Sequence, residues 1–271
     1  MNKLFLAPTT LPGTLPVEYI HAAKQGGCDG VGLRLNRSPG LPFHPVVGDT
    51  ALIRNMKSAL ADTGLPVLDI YSFYLRPDTD VNVFIPALAL GAEFGAEFAV
   101  VMGDDTDWSR MRDNFCLVCD EAARFGLTCT VEFAVIRPLA TLAQTVKLIG
   151  EAGRKNAVVC MDPLNFFRAG EHPSDLTWLD PALFPYAQVS DGIRSADDDL
   201  ASLGRMGPNQ RRMLGDGEVP MAGLLDALPR DLPLSIELPM PKHETHSANE
   251  WATRVVGNVR GFLAQYYENA K

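Results

Sequence analysis

A run of helix-forming residues, a glycine and a short apolar strand recurs along this chain about every 30 residues, the size of one βα unit. Residues 22–27 lead into 30–35, 59–64 into 67–71, 90–95 into 98–103, 122–126 into 128–134, and 151–153 into 157–162. Each glycine falls where a helix must stop in a left-handed conformation, which costs glycine nothing sterically. The strands are continuous apolar runs rather than alternating ones, as expected when both faces of a sheet are covered. Adding 4–6, 186–190 and 234–238 makes eight strands, and a helical run over about 248–267 closes the set. Eight such units in series predict an α/β fold, a single (β/α)8 TIM barrel spanning residues 1–271. A doubly wound sheet would carry fewer units and a glycine-rich phosphate turn after strand one. Pro8-Thr9-Thr10-Leu11-Pro12-Gly13 stands there instead.

Composition limits the partners. Hydrophobic residues make up 46% of the chain and charged residues 21%, ample for one core. The net charge of −9 is spread out, without the Lys/Arg clusters that phosphate neutralisation requires, so nucleic acid is not an expected partner. No stretch approaches the roughly 20 apolar residues of a membrane span. The apolar run at the N-terminus is too short for a signal peptide and is broken by Pro8. The expectation is a cytoplasmic protein with no membrane contact. Cys28, Cys116, Cys119, Cys129 and Cys160 read as reduced core thiols; Cys116 and Cys119 form one C-x-x-C with no second pair for zinc.

Polar residues at strand ends carry the functional signal, because a barrel of this kind builds its site there. Those ends are Arg34, Tyr71, Met102, Glu132, Asp162, Gln188 with Asp191, and Glu237. Glu132 ends a strand that otherwise reads as buried, so its carboxylate needs an arginine, a hydrogen-bond network or a metal. Any one strand-end carboxylate is explained by a loop cap or an arginine. Glu132, Asp162, Gln188 and Glu237 on four successive strands point to a common centre, where three carboxylates would repel one another unless a cation lay among them. The all-oxygen set favours Mn²⁺ or Mg²⁺, with Zn²⁺ or Co²⁺ also compatible. Gln188 is the weakest member, since a neutral amide also serves as a hydrogen-bonding neighbour. Arg34, Arg168 and Arg194 follow strand ends and are placed around the same cavity, which implies an anionic or polyhydroxylated small-molecule substrate. Each arginine is equally well explained as the partner of a nearby aspartate. Gly215-Asp216-Gly217 either narrows the pocket mouth or is an ordinary loop before a helix over 219–228. His243 and His246 sit in the loop after strand eight as candidates for substrate contact, and Asp197-Asp198-Asp199 reads as a solvated loop.

Taken together, Gly27-Cys28-Asp29-Gly30-Val31-Gly32-Leu33-Arg34, Val131-Glu132-Phe133, residues 162–170, Ala187-Gln188-Val189-Ser190-Asp191-Gly192 and Ile236-Glu237 resemble the sugar phosphate isomerase/epimerase superfamily, the xylose isomerase-like barrels. The resemblance covers essentially the whole chain. It implies one divalent metal on Glu132, Asp162, Gln188 and Glu237, with Glu132 and Glu237 as the acid/base pair. Tyr71, Asn165 and Asp191 join Arg34, Arg168 and Arg194 as substrate-binding candidates. Two departures stand out: Gln188 where histidine is frequent, and Asn165 where a substrate-facing histidine is common. Glutamine also serves as a ligand in relatives resembling 3-dehydroshikimate dehydratase.

The leading expectation is an isomerase or epimerase of a small hydroxy-carbonyl compound (a sugar, sugar phosphate or keto acid) working through an enediolate. The alternative is a dehydratase like those acting on 3-dehydroshikimate or inosose, in carbohydrate metabolism or nearby. The apurinic-endonuclease branch is disfavoured by five scattered histidines and the acidic charge. A sugar-binding barrel without catalysis is the non-enzymatic reading. A homo-oligomer is compatible with all of these.

Overall fold

The computed structural model describes residues 2–194, 210–241 and 245–269. Eight parallel strands follow one another: β1 Leu4–Leu6, β2 Gly30–Arg34, β3 Val67–Leu75, β4 Phe98–Gly103, β5 Thr128–Glu132, β6 Ala157–Cys160, β7 Ala187–Val189 and β8 Leu234–Ile236. Their order is β6-β5-β4-β3-β2-β1-β8-β7, so β1 pairs with both β2 and β8. A Met161–Ala187 bridge joins β6 to β7 and leaves a nearly closed ring. The helices are α1 Pro16–Gly26, α2 Thr50–Thr63, α3 Ile85–Glu93, α4 Trp108–Arg124, α5 Leu142–Ala152, α6 Pro163–Arg168, α7 Met221–Ala227 and α8 Ala248–Asn269. This is the (β/α)8 barrel expected from the repeat. Among the described residues no helix is long and apolar enough to cross a membrane.

The glycine punctuation does what the sequence requires of it. Gly64 follows α2 at φ 67° and Gly153 follows α5 at φ 61°, both left-handed. At the other ends, Asp49 and Asp107 cap α2 and α4 through the Leu52 and Arg110 amides, and Thr141 with Gln144 forms a capping box on α5.

Strand alternation sorts side chains between two compartments. In β5, Cys129 and Val131 join the large core between sheet and helices, while Thr130 and Glu132 turn inward. The barrel floor is filled by Phe5, Leu68, Cys160 and Tyr186, with the Tyr186 hydroxyl 3.2 Å from Thr130 Oγ1. Burying these aliphatic and aromatic side chains contributes about 1.5–3 kcal/mol each. The floor thus holds the strand ends above it at fixed spacing.

Strands β5 and β6 stop sooner than the apolar runs imply, at Glu132 and Cys160; after β6, Asp162 already caps α6. Strand β3 runs further, to Leu75. Cys28, Cys119, Cys129 and Cys160 are buried free thiols, and Cys116 is half-buried.

Candidate functional site

Strand register sets the site. Glu132 lies level with Met102 of β4 and Cys160 of β6, at the upper rim of the ring. Asp162 and Glu237 follow β6 and β8 directly and are buried with it. One oxygen from each of Glu132, Asp162 and Glu237 gathers within 4.8 Å of the others. Such a buried acidic triad suits a divalent ion, which relieves the repulsion among carboxylates.

The hydrogen bonds show which acceptors are taken. Asp162 Oδ1 accepts from the Leu164 and Asn165 amides at 2.8 and 3.0 Å, capping α6. Asp162 Oδ2 accepts from Asn165 Nδ2 at 3.2 Å and Arg211 Nη2 at 2.6 Å. Asn165 Nδ2 also reaches Glu132 Oε1 at 3.3 Å, so one amide ties two carboxylates together. Gln188 is fully buried; its Nε2 donates to the Tyr71 hydroxyl at 2.5 Å, while its Oε1 has no partner. Glu237 Oε2 likewise accepts no hydrogen bond. Gln188 Oε1 is a buried orphaned oxygen that an oxygen-liganded cation would satisfy, Glu237 Oε2 has only the Arg211 cation 3.3 Å away, and the donor set is that of a hard ion. Glu132, Asp162, Gln188 and Glu237 therefore fit a divalent metal.

Electrostatics agree. Burial pushes the Glu132 carboxyl well above the usual carboxylate range, and Glu237 and Asp162 push it further, against Arg211 and Arg137. Glu237 is raised by burial and Asp162, with Arg211, Thr9 and Arg34 acting the other way. Burial works against the Arg211 cation, but Asp162 and Glu237 more than offset it, so its pKa is raised. One layer down, burial lifts Asp69 to about 7, with the Tyr186 and Tyr71 hydroxyls lowering it and Glu237 raising it. Neither Asp69 oxygen makes a hydrogen bond of normal geometry.

A cavity of about 240 Å³ opens above the triad. Glu132, Glu237, Tyr71, Asn165 and Arg168 line it, together with Tyr74, Met102, Arg137 and Arg211. Arg168 is partly buried without a carboxylate at ion-pair distance, its Nε unpartnered; burial and the neighbouring Arg211 lower its pKa. Arg137 instead pairs with Asp104 at 3.0 Å and stacks over Tyr74.

Three predicted substrate contacts lie elsewhere. Arg34 lines a smaller, mostly apolar pocket with Leu33, Pro42, Phe43 and Met56, although its charge still acts on Glu237. Asp191 folds back on its own loop: its oxygens accept from the Gly192, Gly215 and Val219 amides at 2.8, 3.0 and 3.1 Å. A Cβ on Gly217 would come within 2.2 Å of that carboxylate, so the Gly215–Gly217 turn is a clasp for Asp191, not a rim of the cavity. Arg194 is exposed, with its guanidinium over the Phe167 ring at 4.8 Å. His246 stacks on Trp251 at 6.0 Å and bonds Arg254 at 2.9 Å; His243 and residues 197–199 lie outside the described residues.

Arg211 and Arg137 are the residues that strand-end reasoning missed. Arg211 sits deep in the β7–α7 connection, far from any strand end in chain order. An arginine beside Gln210 and Arg212 gives no signal of burial, and only the three-dimensional path brings it back to Asp162.

The family model described as the xylose isomerase-like TIM barrel matches residues 20–255. A xylose isomerase-like TIM barrel/4-hydroxyphenylpyruvate dioxygenase fusion protein superposes with a TM-score of 0.78 at 20% identity, over 99% of this chain and 44% of that one. This chain therefore spans less than half the length of that relative. The IOLI protein, crystallised with a binding zinc atom, gives 0.79 at 16% identity over 97% and 99% of the two chains. D-allulose 3-epimerase from Methylomonas sp., in complex with D-allulose, gives 0.70 at 13% identity over 96% of each. No curated protein matches the chain. With the family model covering most of the sequence and the eight-stranded ring in place, this chain belongs to the xylose isomerase-like TIM barrels.

Proposed function

We propose that this protein is a divalent-metal-dependent isomerase or epimerase of a small hydroxy-carbonyl compound: a sugar, sugar phosphate or related keto acid. The observation that carries this reading is the meeting of Glu132, Asp162 and Glu237 within 4.8 Å beneath an open cavity, beside the orphaned Oε1 of Gln188. The zinc atom of the IOLI structure and the bound ketose of the epimerase support it.

Glu132, Asp162, Gln188 and Glu237 would hold the ion. Such an ion, when bound, polarises a carbonyl and an adjacent hydroxyl and so acidifies the intervening C–H. Glu132 and Glu237 both line the cavity and approach it from different strands. One removes the proton from that carbon, and the other returns a proton to the same carbon or its neighbour. Asn165 steers Glu132 through its 3.3 Å hydrogen bond. Because Asp162 has both oxygens occupied, it is a ligand and a capping residue, not a base. Arg168, which lines the cavity and has only a long 3.5 Å hydrogen bond to Gln210 Oε1, receives an anionic group of the substrate.

A second reading, a dehydratase expelling a β-hydroxyl from the same enolate, is favoured by one observation: among the described residues Asn165, and no histidine, lines the cavity. A ketose panel in D₂O and a dehydroshikimate/inosose panel followed by enone absorbance separate the two. The expected result is deuterium incorporation at the carbon beside the carbonyl, abolished by Glu132→Gln or Glu237→Gln. Exchange retained in both variants would overturn the assigned roles.

A further inference from the structure

Arg211 competes with any cation for the same carboxylate lone pairs. An ionised carboxylate offers about four acceptor positions. On Asp162 two are taken by the Leu164 and Asn165 amides and one by Asn165 Nδ2. The fourth and shortest contact is Arg211 Nη2 at 2.6 Å. The same nitrogen lies 3.3 Å from Glu237 Oε2, an oxygen that accepts no hydrogen bond. One guanidinium nitrogen thus bridges two of the three carboxylates of the acidic cluster. The arginine is also anchored separately: its Nη1 donates to Ser190 Oγ at 2.7 Å, and its side chain is only 10% exposed.

We propose that Arg211 is the built-in counter-ion of the metal-free site, and that an ion bound by Asp162 and the Arg211–Asp162 contact are mutually exclusive. This inference rests on the metal reading given above. The two amides on Oδ1 belong to the cap of α6 and cannot leave without unravelling its first turn. The Asn165 Nδ2 contact comes from a neutral amide and also serves Glu132, whereas the guanidinium is a cation that an incoming ion repels and that Ser190 anchors independently. The arginine contact is therefore the one that yields. Charge does not require the guanidinium to go far. Three ionised carboxylates and one arginine leave two negative charges, which one divalent ion matches. Arg211 keeps Ser190 and gives up Asp162, and its freed Nη2 then faces the cavity that Arg168 also lines. Ion uptake in this way turns an internal counter-ion into a second cationic group for an anionic substrate.

Mn²⁺ is titrated calorimetrically into chelator-treated full-length protein and its Arg211→Met and Arg211→Lys variants. The proposal predicts at least tenfold tighter Mn²⁺ binding in Arg211→Met and near wild-type affinity in Arg211→Lys, which retains the competing cation. Equal or weaker binding in Arg211→Met, with Mn²⁺ binding to wild type intact, would overturn the competition while leaving the metal reading in place. Failure of every form to bind Mn²⁺ would overturn both. Arginine-selective labelling of the wild type by phenylglyoxal, mapped by peptide mass, needs no variant to fold. Arg211 is expected to label severalfold faster with Mn²⁺ than with chelator, relative to Arg168; an unchanged or slower rate would contradict the proposal.

Discussion

The side-chain nitrogen of Gln188 donates to the hydroxyl oxygen of Tyr71 at 2.5 Å across the barrel, from β7 to β3. This bond fixes which way a neutral amide points. With Nε2 committed to Tyr71, Oε1 is left buried and unpartnered. A glutamine becomes a dependable ligand only when something holds its nitrogen, and Tyr71 does that here.

Tyr71→Phe should therefore weaken divalent-ion binding by about 10–100-fold, the range typical of losing a group that orients a ligand. The fold should survive, since the ring stays buried in the same place. Calorimetric titration with Mn²⁺ checks it, with circular dichroism as the control.

Asp69 gives the metal-free protein a particular pH dependence. Its folded-state pKa is raised from 3.8 to about 7, mainly by burial, so the folded state holds its proton more tightly than the unfolded chain does. The stabilisation is complete below the ordinary carboxyl range and is lost as pH climbs through about 7. Stability should fall over that window, and Glu132 and Glu237, raised for similar reasons, add to the fall. Asp69→Asn should remove up to one proton's worth of slope, about 1.4 kcal/mol per pH unit. Urea melts in chelator at several pH values measure this.

Asp162 has a structural duty separate from any ion. It caps α6 and pairs with the buried Arg211. Asp162→Ala should cost about 3 kcal/mol even in chelator, because it takes from a buried guanidinium its shortest carboxylate contact and leaves only Glu237 at 3.3 Å. Asp162→Ala combined with Arg211→Met should recover much of that loss, leaving about 1 kcal/mol for the cap. Denaturant titration of the two variants tests the ordering.

The strands and the acidic triad were legible in the sequence for a simple reason. Continuous apolar runs and left-handed glycines are local signals, and a strand end fixes the height of a side chain in the barrel. Glu132, Asp162 and Glu237 needed only that height to meet. Direction is another matter. Asp191 stands at the right level, but its carboxylate turns back onto the amides of residues 192, 215 and 219. Arg34 ends β2, but it faces a pocket shared with α1 and α2 residues Tyr19 and Met56. Arg211 could not be found by height at all, because it stands at no strand end and yet pairs with Asp162.

Arg168 should discriminate substrates by charge. Its guanidinium lines the cavity, and Arg211 next to it lowers its pKa. Arg168→Met should raise KM for an anionic substrate at least tenfold and leave KM for a neutral ketose nearly unchanged. Steady-state kinetics on the two substrate types, at low and high salt, read this directly.

The central claim is that the strand-end oxygens hold one divalent ion. The direct measurement is Mn²⁺ binding to chelator-treated protein, by calorimetry and by the shift in melting temperature. The account predicts one ion per chain, a raised melting temperature, and loss of both in Glu237→Gln. A wild-type protein that binds no ion and melts at the same temperature with and without Mn²⁺ would contradict it.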